Sequence, residues 1–155
     1  MIRARGGDWM DERGQVGGIE AIPFGLLVFV VGSLVVANAW AVVDAKLAAQ
    51  SASREATRAY VESTDAEAAA DDARAAASDA LESLGRDPSR ALVDGPTDPS
   101  ELRRCRSVTF TVSLRVPALA VPWLGGFGDG IVVRASSSQI VDPYREGLPG
   151  EAQCG

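Results

Sequence analysis

The sequence predicts an α+β protein in which one long apolar helix leads into a small domain of helices and antiparallel strands. Three patterns carry this prediction. An uncharged apolar run extends from residue 21 to residue 43, and an alanine-rich stretch without glycine or proline follows it to residue 84. From residue 107 to residue 116, apolar and polar residues alternate, which is typical of a half-buried strand.

The first 62 residues predict a leader and a membrane helix. Residues 1–14 are mixed in charge and without period, so we expect a short cytoplasmic leader. Residues 15–62 are predicted to be helical, and the uncharged run meets the roughly 20 residues that a helix needs to cross a bilayer. The rest of the chain is too polar to enclose such a helix. We therefore interpret the run as a single transmembrane segment.

The helix is predicted to continue beyond the apolar run as an amphipathic, alanine-rich helix. Alanines recur there at steps of three and four residues and form one face: Ala45, Ala48, Ala52, Ala56 and Ala59. Charged residues lie opposite: Lys46, Arg54, Glu55, Arg58 and Glu62. Such a face allows another helix to approach closely. The alternative is that this alanine-rich helix is simply exposed to solvent.

Residues 63–103 are predicted to hold a second helix and a loop. Thr64 and Glu67 have the spacing of a capping box, so we expect a break near Ser63 and a helix over residues 65–84. Gly85 would end that helix. Its packing face would be formed by Ala66, Ala69, Ala73, Ala76, Ala77, Ala80, Leu81 and Leu84. Residues 86–103 contain three prolines and are interpreted as a loop.

Residues 104–155 are predicted to form a β region with two antiparallel strands. Val108, Phe110, Val112, Leu114 and Val116 would line the buried face of the first strand. A second strand is expected over residues 130–141, with Ile131, Val133 and Ala135 on one face. The connection between them is apolar, and its large residues would form either a partner surface or the lid of a small core: Leu119, Val121, Trp123, Leu124 and Phe127.

The two cysteines, Cys105 and Cys154, favour a disulfide in an exported domain. Two unpaired buried thiols are the alternative. Arginines occur on both sides of the apolar run, so charge does not orient the membrane helix. The orientation therefore rests on the cysteines, and a disulfide implies that residues 44–155 lie outside the cytoplasm.

The composition argues against several classes of function. The net charge is −6, with one lysine and no histidine, which disfavours nucleic-acid binding. The lack of histidine removes the most common general base and the most common metal ligand. We found no catalytic constellation, no zinc-ligand spacing and no phosphate-binding glycine motif. We therefore expect a protein that is not an enzyme and has no cofactor.

The start of the chain resembles a known family. A charged leader, a glycine, a glutamate and a long apolar helix together resemble a class III signal, the type processed by prepilin peptidases. More closely, residues 13–62 resemble the TadE/TadG-like minor pseudopilins of tight-adherence (Flp-type) pilus systems. Arg13-Gly14, Glu20 and the downstream run Ala52-Ser53-Arg54-Glu55-Ala56-Thr57-Arg58 carry this resemblance.

The resemblance implies a membrane-anchored component of a pilus or secretion apparatus that acts by assembly with other pseudopilin subunits. It implies cleavage between Gly14 and Gln15, and pairing of the Glu20 carboxylate with the free amine of a processed neighbour. Glu20 is the sixth residue after Gly14, whereas the family usually has the fifth, so an uncleaved anchor is the alternative. Glu20 can also simply mark the helix end. A secreted or membrane-anchored binding domain unrelated to pili is the rival function, since "ANAWA" offers small residues for signal peptidase.

Overall fold

A computed structural model describes residues 17–117, 120–121, 125–126, 130–151 and 153–154; of residues 17–20, 120–121 and 125–126 it describes the backbone only. The chain divides into two compact units, Met1–Ala37 and Asn38–Gly155. In the described part, the first unit is helical. The second unit contains the rest of the helix, a second helix and the strands, and so has the predicted α+β architecture.

Helix α1 extends from Gly17 to Glu62. Its second half buries the predicted alanine face, of which only Ala59 remains half-buried. Ser53 and Thr57 are also buried on this helix. The Thr57 hydroxyl lies 2.7 Å from the carbonyl oxygen of Ser53 and 3.2 Å from that of Ser137, so it can donate within the helix or to the sheet. Small side chains thus bring α1 close enough to the sheet for a direct hydrogen bond.

Helix α2 extends from Ala69 to Ser83 and begins four residues later than predicted. The expected capping box does not form, because the N-cap residue of α2 is Ala68, whose side chain makes no capping hydrogen bond. Residues 63–68 instead form a turn in which the Asp65 carboxylate accepts from the backbone N–H of Glu67, at 2.9 Å. Of the predicted packing face, Ala69, Ala73, Ala77 and Leu81 are buried, whereas Leu84 is exposed.

The predicted end of α2 is confirmed. Gly85 has a φ of +68°, a left-handed conformation that glycine adopts without steric cost. Its N–H donates to the carbonyl of Glu82, and that of Arg86 donates to the carbonyl of Leu81. These two bonds form a Schellman motif, which satisfies the last carbonyls of the helix.

The prediction of a loop over residues 86–103 is wrong in part. Residues Ala91–Asp94 form a strand, β1, between two short 3-10 turns, Pro88–Arg90 and Pro99–Glu101. Each turn begins with Asp-Pro-Ser, and each aspartate accepts from the backbone N–H of the serine. Those serine hydrogen bonds hold the pKa of Asp87 and Asp98 below its usual value.

Strand β2 extends from Ser107 to Val116 and strand β5 from Ile131 to Ile140, close to the predicted bounds. The sheet has the strand order β1-β2-β5, and both pairings are antiparallel. Between β2 and β5, Ala120–Val121 (β3) pairs with Gly125–Gly126 (β4). The predicted inward residues of β2 are buried, as are Val133 and Ala135 of β5, but Ile131 is exposed at the end of its strand.

Tyr60 of α1 and Phe110 of β2 pack against each other within the core, to which α1, α2 and the sheet all contribute. Their ring centroids are 5.4 Å apart, with the planes tilted by 56°. Both side chains are buried, but the Tyr60 hydroxyl has no hydrogen-bond partner among the described residues. An aromatic pair therefore fills the space that the small alanines leave between helix and sheet.

Candidate functional site

The first candidate site is the apolar surface of α1. Its length and composition are sufficient to cross a membrane, and its most apolar window is not buried by any described part of the chain. The exposed side chains occur on all sides of the helix, and the largest are Ile22, Phe24, Leu26, Leu27, Phe29 and Trp40. A helix that is apolar all round requires an apolar environment. The finding is consistent with single-pass membrane anchoring.

The residues predicted for processing and assembly lie at the edge of the described chain. Gly14 and Gln15 fall outside the described residues. Glu20 belongs to α1, directly before the apolar run, but its side chain is outside the described part. Cleavage after Gly14 and charge pairing by Glu20 therefore stay predictions.

The predicted disulfide is present between Cys105 and Cys154, which are 49 residues apart in the sequence. It attaches the C-terminal segment to the turn before β2. Two further contacts hold the same segment: the N–H of Arg104 donates to the carbonyl of Pro149 at 3.0 Å, and its Nε donates to that of Arg145 at 2.8 Å. Cys105 itself has a φ of +62°, a conformation that favours glycine.

The predicted partner surface lies mostly outside the described residues. This applies to Leu119, Trp123, Leu124 and Phe127. Val121 belongs to β3, where it is the register partner of Gly125. The prediction of a contact surface in this connection therefore stays open.

The described residues contain no group of three or more histidine, cysteine, aspartate or glutamate residues placed to hold a metal ion. Among the described residues, one concavity of about 400 Å³ is lined by Asp94, Gly95, Pro96, Thr97, Glu101, Ser107, Val108 and Thr109. Its side chains offer carboxylates and hydroxyls, which can accept and donate hydrogen bonds but include no histidine or thiol.

A set of cations is the feature that the sequence reasoning missed. The structure brings three arginines, Arg86, Arg90 and Arg115, to one concavity of about 310 Å³. They come from the turn after α2, from the following 3-10 turn and from β2. No local sequence pattern could have indicated this set, because it depends on how these separate elements pack.

Comparison with protein-family models, with curated proteins and with solved structures finds no match to this chain.

Proposed function

We propose that this chain is a membrane-anchored structural subunit of a tight-adherence-type pilus or secretion apparatus, similar to TadE/TadG-like minor pseudopilins, and that it acts by assembly rather than catalysis. One observation carries the proposal. Helix α1 begins as an exposed apolar segment and continues, without interruption, as a core helix of the folded domain. The membrane segment and the domain core are therefore parts of one helix.

The disulfide supports an extracytoplasmic position for the domain. Disulfides persist in oxidising compartments and are rare in the reducing cytosol. Cys105 and Cys154 both belong to the domain that follows the apolar run. We propose a single-pass protein with residues 44–155 outside the cytoplasm and residues 1–14 inside.

Glu20 would provide the polar contact between subunits. A carboxylate at the edge of the hydrocarbon is costly unless a cation pairs with it. Following the family resemblance, that cation would be the N-terminal amine of a neighbouring processed subunit. Attraction between the two charges would be strong there, because little water screens them.

The substitution Glu20→Gln tests this pairing in the full-length protein in its native membrane. Gln has nearly the same size, so the change isolates charge. Resistance to carbonate extraction should be unchanged, whereas crosslinking to other pilus subunits should fall. Glu62→Gln is the matched control, because Glu62 is an exposed carboxylate at the other end of the same helix. Equal crosslinking in the two variants would reject a role for Glu20 in assembly.

The mass of the mature N-terminus tests the family assignment. A chain that begins at Gln15 supports processing by a prepilin peptidase, and one that retains Met1 supports an uncleaved anchor. A chain that begins at Trp40 or Val42 would contradict both, because signal peptidase would have removed the apolar run. The protein would then be a released binding domain.

A further inference from the structure

Five cationic side chains lie at the end of the second unit at which the apolar run stops. We call this set the basal cluster; it consists of Lys46, Arg86, Arg90, Arg115 and Arg134. Two contacts place its members: Arg86 forms an ion pair with Asp44, two residues before Lys46, and the Lys46 ammonium donates to the backbone carbonyl of Arg134. Asp44 follows directly after Val43, the last residue of the apolar run, and Lys46 is two residues further on.

The sheet register places the remaining members at the same end. Strand β2 ends at Val116, which pairs with Ile131 at the start of β5. Arg115 is next to that end of the sheet, and Arg134, which pairs with Ser113, lies three residues in from it. Arg90 directly precedes β1, whose first residue pairs with Leu114. Arg86, Arg90 and Arg115 also line the concavity of about 310 Å³. Five separate parts of the chain thus supply positive charge to this end of the domain: α1, the turn after α2, the 3-10 turn before β1, β2 and β5.

Exposed apolar side chains accumulate at this end as well. After Asp44, seven large hydrophobic residues are exposed in the described part of the chain, and five of them belong here: Leu47, Leu84, Leu92, Ile131 and Val132. Their exposed fractions lie between 47% and 69%. Val132 is the register partner of Arg115, so apolar and cationic residues are adjacent. Burial in water-free surroundings would be favourable for such side chains.

The charge of the basal cluster is only partly neutralised. Asp44 pairs with Arg86, and Asp87 lies 3.4 Å from the Arg90 guanidinium. Glu82, near the end of α2, is a further exposed carboxylate. Arg115 and Arg134 are exposed and have no carboxylate partner within the described residues. The chain as a whole has a net charge of −6, so a cationic surface here runs against its average composition.

We propose that the basal cluster and the apolar residues beside it contact anionic phospholipid headgroups of the membrane in which α1 is anchored. The proposal rests on the membrane anchoring proposed above. Lys46 follows Val43 by three residues, or about 4.5 Å along a helix, so chain continuity alone brings the basal end to the headgroup layer. Guanidinium groups donate paired hydrogen bonds to phosphate, and an anionic surface attracts each nearby cation. Leu84, Ile131 and Val132 would enter the interfacial layer beside them.

The test compares arginine reactivity in two lipid environments. The full-length protein is placed in nanodiscs of phosphatidylcholine alone or of phosphatidylcholine with phosphatidylglycerol, and is treated with 4-hydroxyphenylglyoxal. Mass spectrometry gives the modification rate of each arginine. We expect Arg90, Arg115 and Arg134 to react about fivefold more slowly in the anionic discs. High salt should reduce this difference. Arg103 is the internal control, because it is exposed near the opposite end of β2.

Three results would overturn the proposal. Equal rates in the two lipids would exclude a lipid contact. If inorganic phosphate, added to the neutral discs, slowed the modification of these arginines as much as the anionic lipid does, the arginines would bind a soluble anion instead of lipid. A protein that does not stay with the discs during gel filtration would contradict the membrane anchoring and, with it, the proposed function. The first two results leave the anchor intact, so the failure of the lipid contact is distinguishable from the failure of the anchoring.

Discussion

The Ser63 hydroxyl lies 3.1 Å from a carboxylate oxygen of Asp72 and so joins the end of α1 to the first turns of α2. It also lies 3.0 Å from the carbonyl oxygen of Asp65, so its single proton can serve either acceptor. The carbonyl of Ser63 accepts from the Arg145 guanidinium at 2.7 Å. Ser63 therefore organises the break between the two helices, whereas the exposed Thr64 does not.

Ser63→Ala should destabilise the protein by about 1 kcal/mol, because it removes the hydrogen bonds that the buried Ser63 hydroxyl makes to Asp65 and Asp72. Thr64→Ala should change the free energy of unfolding by less than about 0.5 kcal/mol, as is usual for an exposed side chain. Denaturant unfolding of the full-length protein in detergent, followed by circular dichroism, measures both. A larger loss of stability in the Thr64 variant than in the Ser63 variant would show that Thr64 caps α2.

Tyr60→Phe should raise the free energy of unfolding by about 1 kcal/mol. The Tyr60 side chain is 1% exposed and its hydroxyl has no partner among the described residues, so removing the hydroxyl relieves a desolvation cost. Tyr144→Phe is the control, because Tyr144 is 78% exposed and should show no change. The same unfolding measurement applies. A clear loss of stability in the Tyr60 variant would show that the hydroxyl is satisfied.

Gly95→Ala should cost about 1–3 kcal/mol through overpacking. A Cβ atom at this position would lie 2.3 Å from Cδ1 of the buried Phe110 ring. Phe110→Leu removes the ring and should partly relieve this clash, although it opens space of its own. The double variant should therefore lose less stability than the sum of the two single losses. Strictly additive losses would mean that Gly95 and Phe110 do not meet.

Loss of the disulfide through Cys105→Ser and Cys154→Ser should cost about 4 kcal/mol, as loop-closure entropy predicts for a loop of this length. Cys105→Gly combined with Cys154→Ser should recover about 1 kcal/mol of that loss, because glycine accepts the left-handed φ of +62°. Urea midpoints of the two double variants measure the difference. A glycine variant no more stable than the serine variant would show that the left-handed conformation depends on the disulfide.

The elements with a long and regular pattern could be predicted from the sequence. The apolar run and the alanine period define α1, and the alternation from Val108 to Val116 defines β2. Two cysteines allow only one intrachain pairing. Strand β1 could not be predicted, because four residues between proline-containing turns are too few to show a period. The start of α2 was predicted four residues too early, because Ser63, Thr64 and Asp65 all have side chains that can cap a helix.

The candidate sites were less accessible to sequence reasoning. Glu20 is recognisable from its place beside the apolar run, since a charge there has a clear energetic cost. The basal cluster is different, because residues between Lys46 and Arg134 meet only after the sheet and helices have formed. A surface of this kind has no local signal.

Alanine makes up ten of the twenty buried hydrophobic residues in the described part of the chain, and this bears on the calorimetry of the domain. The heat capacity of unfolding rises with the apolar area that becomes exposed, and an alanine core contributes little area per residue. The unfolding enthalpy will therefore vary only slowly with temperature, and the stability curve will be flat. A domain of this kind loses stability gradually on warming and has little tendency to unfold in the cold.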